Sequence, residues 1–300
     1  MGKRAPNTYP AAEVSVSTKR DVLTEREKQS AVKMLGQQIL SDRGKNTLSL
    51  SDTRSLGAGD SAHGVFFARA ENGHESDIPN GVAIKRFRRE ESALQELDNI
   101  RTAAKLGFRT VEPVGNGVID IGEMGTALVT SVIPRFTTMN QVGWQDYIVG
   151  QPGYERLTEV LSAVGGFAGS IHEKGMVHND LQIKNVGQVP TGEFIVFDVE
   201  GSRFHAPQHD DSSEGLVFAE GCYSDMSKLV SSLIERRYLA SATDATFEKE
   251  IADVLLTPYL ENGGNPYVLD NYDRLMGDAL EFRAAAPGLS HSEIGRLALV

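Results

Sequence analysis

Residues 177–185 read Val-His-Asn-Asp-Leu-Gln-Ile-Lys-Asn, and residues 196–201 read Val-Phe-Asp-Val-Glu-Gly. Both runs lie beside apolar, strand-like stretches, which places their polar residues on turns. Asp180 is a carboxylate that can orient and deprotonate a hydroxyl. Asn185 offers an amide oxygen to a hard cation, and Asp198 offers an anionic one. These are the groups phosphoryl transfer requires, because that reaction is driven by positioning and charge neutralisation. The same chemistry needs a cation for the phosphates and backbone N–H groups around them. Lys85, at the end of Val-Ala-Ile-Lys, is the candidate cation. Gly57, Gly59 and Ser61 form a small polar run whose backbone can approach an anion closely. A plain hairpin is the other reading of that run.

Several elements must hold these groups. The chain is strand-rich from Leu48 to Val132, and Val82–Lys85 reads as one strand. Glu91–Lys105 reads as a helix, with Leu94, Leu97, Ile100 and Ala104 at helical spacing. A buried lysine needs a carboxylate partner, and Glu96 on that helix is the choice, with Glu91 as the alternative. Pro134 ends an apolar strand run and marks a hinge. Beyond it helices dominate: Leu157–Lys174 closed by Gly175, then Cys222–Tyr238, 243–260 capped by Thr243 or Asp244, and Asn271–Arg283. Thr24-Glu25-Arg26-Glu27 is a capping box that predicts a further helix over 24–41. Residues 1–20 carry no periodicity and read as disordered.

Composition narrows the function. The chain has 300 residues, 40% hydrophobic and 24% charged, enough for a sizeable core. Its net charge of −11 argues against nucleic-acid binding through a broad basic face. The single cysteine, Cys222, excludes an intrachain disulfide. No apolar stretch approaches the roughly 20 residues of a membrane span. No signal-peptide pattern is visible, and Pro6 stands where a myristoylation signal wants Ser or Thr. A cytoplasmic enzyme is the expectation.

His178, Asp180, Leu181 and Asn185, then Asp198, with Lys85 upstream, resemble in order the loops of the protein-kinase-like superfamily over Leu56–Tyr238. The resemblance implies an α+β bilobal fold: an antiparallel β-sheet N-lobe with one helix, and a mainly helical C-lobe. It divides the chain into an extension (1–46), an N-lobe (47–134) and a C-lobe (135–300). It implies ATP and Mg2+, with Asp180 as base, Lys85 on the phosphates and Glu96 as its partner. Gly57, Gly59 and Ser61 would cover the nucleotide, and Asn185 and Asp198 would hold metal. Lys184 either touches the transferring phosphate or is a solvated loop lysine. Asp225 either braces the Asp180 loop or caps a helix.

The departures from the family pattern define a branch. Asn179 replaces the Arg that normally pairs an activating phosphate, so switching through Ser212 or Ser213 is not expected. Glu200 stands at the usual Gly position, Ala62 replaces the third loop glycine, and the Ala-Pro-Glu motif is missing. Asp225 follows Asp198 by only 27 positions. Asp-x-Glu is similar to choline kinases and aminoglycoside phosphotransferases. The interval of about 45 residues from Pro134 to Asp180 is instead similar to RIO and lipopolysaccharide-core sugar kinases. The implied activity is an atypical protein serine/threonine kinase first, then a small-molecule or sugar kinase, then a nucleotide-binding scaffold. Transfer of AMP fits the same residues. The implied partner is a protein or small-molecule hydroxyl acceptor.

Overall fold

The computed structural model describes residues 49–57, 62–71, 81–120, 125–133, 135–142, 154–206, 212–238 and 251–285. The expected helix over 24–41, the cap at Thr243 or Asp244, and Gly59, Ser61 and Pro134 lie outside these residues.

Five strands form one antiparallel sheet: β1 (Ser49–Gly57), β2 (Ala62–Glu71), β3 (Val82–Phe87), β4 (Pro113–Asp120) and β5 (Thr126–Ser131), in the order β1-β2-β3-β5-β4. β5 is buried along nearly its whole length, with Ala127, Leu128 and Val129 at its centre flanked by buried Thr126 and Thr130. Lys85 pairs with Val65 on one side and Leu128 on the other, so its position on the sheet is fixed by two ladders.

Helix α1 (Glu90–Lys105) packs on this sheet. Glu90 and Glu91 in its first turn and Lys105 in its last complement the helix dipole. Its buried stripe is Ala93, Glu96, Leu97, Asn99, Ile100 and Ala103, whereas Leu94 is exposed and so is Ala104. The helix is therefore rotated slightly from the face that apolar spacing predicts. The rotation turns two polar side chains, Glu96 and Asn99, inward.

Helix α2 (Tyr154–Glu173) buries Leu157, Leu161, Val164, Ala168 and Ile171. It ends at Gly175, whose φ of 77° suits the left-handed stop and whose N–H donates to the His172 carbonyl. A Cβ on Gly169 would lie 2.1 Å from the Tyr259 carbonyl oxygen, so glycine allows a backbone to lie directly on this helix.

Helix α3 runs Ser213–Tyr238, starting nine positions before the expected Cys222. Gly221 lies inside this helix, where a glycine costs about 1 kcal/mol relative to alanine. Here it makes room for Val177, whose methyl carbons would lie 2.9 Å from an added Cβ. Ile251–Leu256 is a π-helical turn, leading into α4 (Thr257–Glu261), α5 (Tyr267–Asp270) and α6 (Tyr272–Ala285). No helix among the described residues is long and apolar enough to cross a membrane.

Candidate active site

Three short strand pairings bring the two polar loops together. β7 (Met176–Val177) pairs antiparallel with β10 (Arg203–Phe204), joining the start of the Asp180 loop to the end of the Asp198 loop. β8 (Val186–Gln188) and β9 (Phe194–Val196) form a hairpin with Val186 opposite Val196. β6 (Thr137–Thr138) extends it along β8. Asn185 and Asp198 thus flank one hairpin, and the Phe197 N–H donates to the Asn185 carbonyl at 2.9 Å. Asn179 (φ 65°) and Asp198 (φ 55°) are both left-handed, a conformation uncommon outside glycine that recurs at functional sites.

On the front of the Asp180 loop, the Lys85 ammonium is 2.7 Å from Glu96 and 2.7 Å from Asp198, with Glu200 at 3.8 Å. Burial opposes the charge on Lys85, but Glu96 and Asp198 outweigh it and hold the ammonium above its ordinary range. Burial pushes the Glu96 carboxyl up to about 7 against the pull of Lys85, with Asp198 and Glu200 adding repulsion. Asp198 is pushed up by burial, but Lys85 overrides this and keeps it below the usual carboxylate range. Glu96, Asp198 and Glu200 place oxygens within 4.8 Å of one another around a single ammonium. Carboxylate oxygens placed this closely are hard ligands that can hold a metal ion.

Asp180 is half-buried. Its Oδ1 accepts from Gln182 Nε2 at 2.6 Å and its Oδ2 from Asn185 Nδ2 at 3.0 Å, while Lys184 stands 3.8 Å from Oδ2. Asn185 Nδ2 also donates to the Asp180 carbonyl. Asn185 is thereby oriented with its amide hydrogens toward Asp180 and its oxygen left for a ligand. Glu96, Asp198 and Glu200 are the described carboxylates close enough together to hold a metal ion.

On the back, α3 presents one polar side chain per turn. Asp225 Oδ2 accepts the His178 N–H at 2.6 Å, Lys228 donates to the Asn179 carbonyl, and Ser232 Oγ accepts the Ile183 N–H at 3.2 Å. Asp225 sits inside the helix rather than at its start, so it braces the loop and caps nothing. His178 spans both loops. Its Nε2 donates to the Phe197 carbonyl at 2.8 Å, and its Nδ1 accepts the Asp180 N–H at 3.3 Å. The Asn179 side chain donates to the Gly201 carbonyl at 2.6 Å. From α1, Asn99 Nδ2 reaches the carbonyls of Val199, Glu200 and Ser202 at 2.7, 2.9 and 3.2 Å.

The structure therefore brings together Lys85, Glu96, Asp198 and, around the loop, Asp180, Lys184 and Asn185. Gly57 ends β1, and Gly59 and Ser61 lie outside the described residues. Sequence reasoning missed Glu200 as a third carboxylate at Lys85, and Asn99, Lys228 and Ser232 as braces. Asn99 left no signal, since the apolar spacing of Leu94, Leu97, Ile100 and Ala104 puts it on the opposite face of the helix.

No family model matches the chain, and no curated protein does. Among solved structures, its fold is similar to one described as WaaP in complex with acyl carrier protein. The TM-score is 0.53 at 15% identity, covering 83% of this chain and 92% of that one. The chain has an α+β, protein-kinase-like fold.

Proposed function

We propose that this protein is an ATP- and magnesium-dependent phosphotransferase that moves the γ-phosphate to a hydroxyl. The observation that carries the reading is the Lys85 ammonium held between Glu96 and Asp198, the latter 113 positions away in the chain. Lys85 neutralises the nucleotide phosphates. Asp180 accepts the proton as the acceptor oxygen attacks the γ-phosphorus and ADP leaves. Lys184, exposed beside Asp180, steadies charge on the transferred group. Asn185, Asp198 and Glu200 would hold magnesium, whose charge offsets that of the phosphates.

The acceptor is a small molecule or sugar in preference to a protein side chain. Helix α3 starts at Ser213, 15 positions after Asp198, which leaves little chain to build a platform for an extended peptide. Incubation with γ-labelled and α-labelled ATP, a pool of small hydroxyl compounds and a generic basic protein tests both steps. We expect γ-label in a small molecule. γ-Label in the basic protein moves the acceptor to protein, and α-label in product replaces phosphoryl with nucleotidyl transfer. Nucleotide binding with no label transferred leaves a nucleotide-binding scaffold.

A further inference from the structure

His172, on the last turn of α2, Tyr259 on α4, Asp225 and His178 are each fully buried, and Asn265 nearly so. Four hydrogen bonds join these five residues in one chain. The Asn265 N–H lies 2.9 Å from Tyr259 Oη, and Oη lies 2.9 Å from His172 Nδ1. His172 Nε2 lies 3.4 Å from Asp225 Oδ2, which also accepts the His178 N–H at 2.6 Å.

The direction of every bond follows from the ends. A peptide N–H can only donate, so Tyr259 Oη accepts from Asn265. Burial holds the phenol protonated, so Oη has a hydrogen to give, and His172 Nδ1 receives it. An accepting Nδ1 leaves the imidazole hydrogen on Nε2, where it faces Asp225. The opposite tautomer would turn the Nε2 lone pair toward a carboxylate oxygen, which is repulsive. Among the described residues, buried Asp225 Oδ1 has no hydrogen-bond partner, and the bonds that hold the carboxylate there are those made to Oδ2. The same Oδ2 anchors the loop two residues before Asp180.

We propose that Tyr259 is a positioning residue for the transfer reaction: its hydroxyl sets the His172 tautomer that holds Asp225 under the Asp180 loop. This rests on the proposed phosphotransferase activity, since Tyr259 itself touches no reacting group. Its place against His172 comes from the close packing of α4 on Gly169, one turn before His172 in α2.

Two measurements on the full chain test it. Side-chain 15N NMR of the wild type should show His172 with its hydrogen on Nε2; an Nδ1–H tautomer or an imidazolium overturns the proposal. In Tyr259→Phe, the His178 amide should exchange roughly tenfold faster, the scale of one weakened buried hydrogen bond. The kcat should fall about five- to tenfold with the nucleotide KM unchanged. Unchanged exchange and kcat overturn it. His172→Gln can still donate to Asp225 without help from Tyr259, so adding Tyr259→Phe to it should change kcat little further. Independent, additive losses reject the link. If the wild type transfers no phosphate, the activity reading fails, while the tautomer and the exchange at His178 still decide the role of Tyr259.

Discussion

The two sides of the Asp180 loop are built in opposite ways. Its front faces Lys85, where Glu96, Asp198 and Glu200 crowd one ammonium and Asp198 is open to solvent. Its back faces α3, where Asp225, Lys228 and Ser232 bond the backbone at His178, Asn179 and Ile183. The back is closed by the protein's own groups. The front gathers three carboxylates at one lysine, close enough together to hold a metal ion. The difference teaches which part is scaffold and which part waits for a ligand. The Asp180 loop is held by the protein's own groups, and the proposed metal and nucleotide would bind at the front. Asn179 shows the same division. Lys228 takes its carbonyl and Gly201 accepts from its side chain, so the loop is held without an added phosphate.

The sharpest way to separate the sides is to remove one carboxylate from each. Asp198→Ala should lower transfer by about a thousandfold or more, because Asp198 as the proposed metal ligand would act directly on transition-state charge. Its melting temperature should stay within a few degrees, since a crowded anionic cluster loses one charge; unfolding would make Asp198 structural instead. Asp225→Ala should do the reverse. It strands buried donors at His178 and His172, and should cost about 3 kcal/mol of stability in denaturant titration. A melt equal to wild type would contradict a load-carrying back.

The pH dependence distinguishes the sides more finely. Glu96 must ionise to pair with Lys85, and its carboxyl is pushed up to about 7 from an ordinary 4.5. A raised folded-state value means that its contribution to stability is complete below the unfolded value and is lost as pH rises through about 7. Activity should run the other way, with kcat/KM rising through about 7 as the pair forms. Glu96→Gln should flatten both dependences; the same inflection in the variant would assign it to another group. The smallest effect belongs to Lys228→Met, about fivefold in kcat for one hydrogen bond to the loop, restored by Lys228→Arg. Phosphatase treatment of the wild type should change nothing, and a loss of activity would return the switch that Asn179 argues against.

Local spacing made the front legible. Val-Ala-Ile-Lys puts Lys85 on a strand, the next helix carries Glu96, and the two meet at 2.7 Å. The loops at Asp180 and Asp198 were legible as turns because apolar strands bound them. The early start of α3 was not, since nothing local to Gly221 records the Val177 side chain that occupies the space beside it. The inward turn of Asn99 was hidden because apolar spacing favours Leu94, which is exposed. The back was the least legible. Lys228, Ser232, His172 and Tyr259 acquire meaning only through partners many residues distant, and no local pattern records such partners.

The central claim is that the front cluster awaits a metal–nucleotide complex. Thermal melts with magnesium and a non-hydrolysable ATP analogue test it without requiring knowledge of the acceptor. The wild type should gain about 2.7 kcal/mol at a hundred times the dissociation constant. The gain should require magnesium and vanish in Asp198→Ala. Equal stabilisation of wild type and variant, or none in either, would contradict the account.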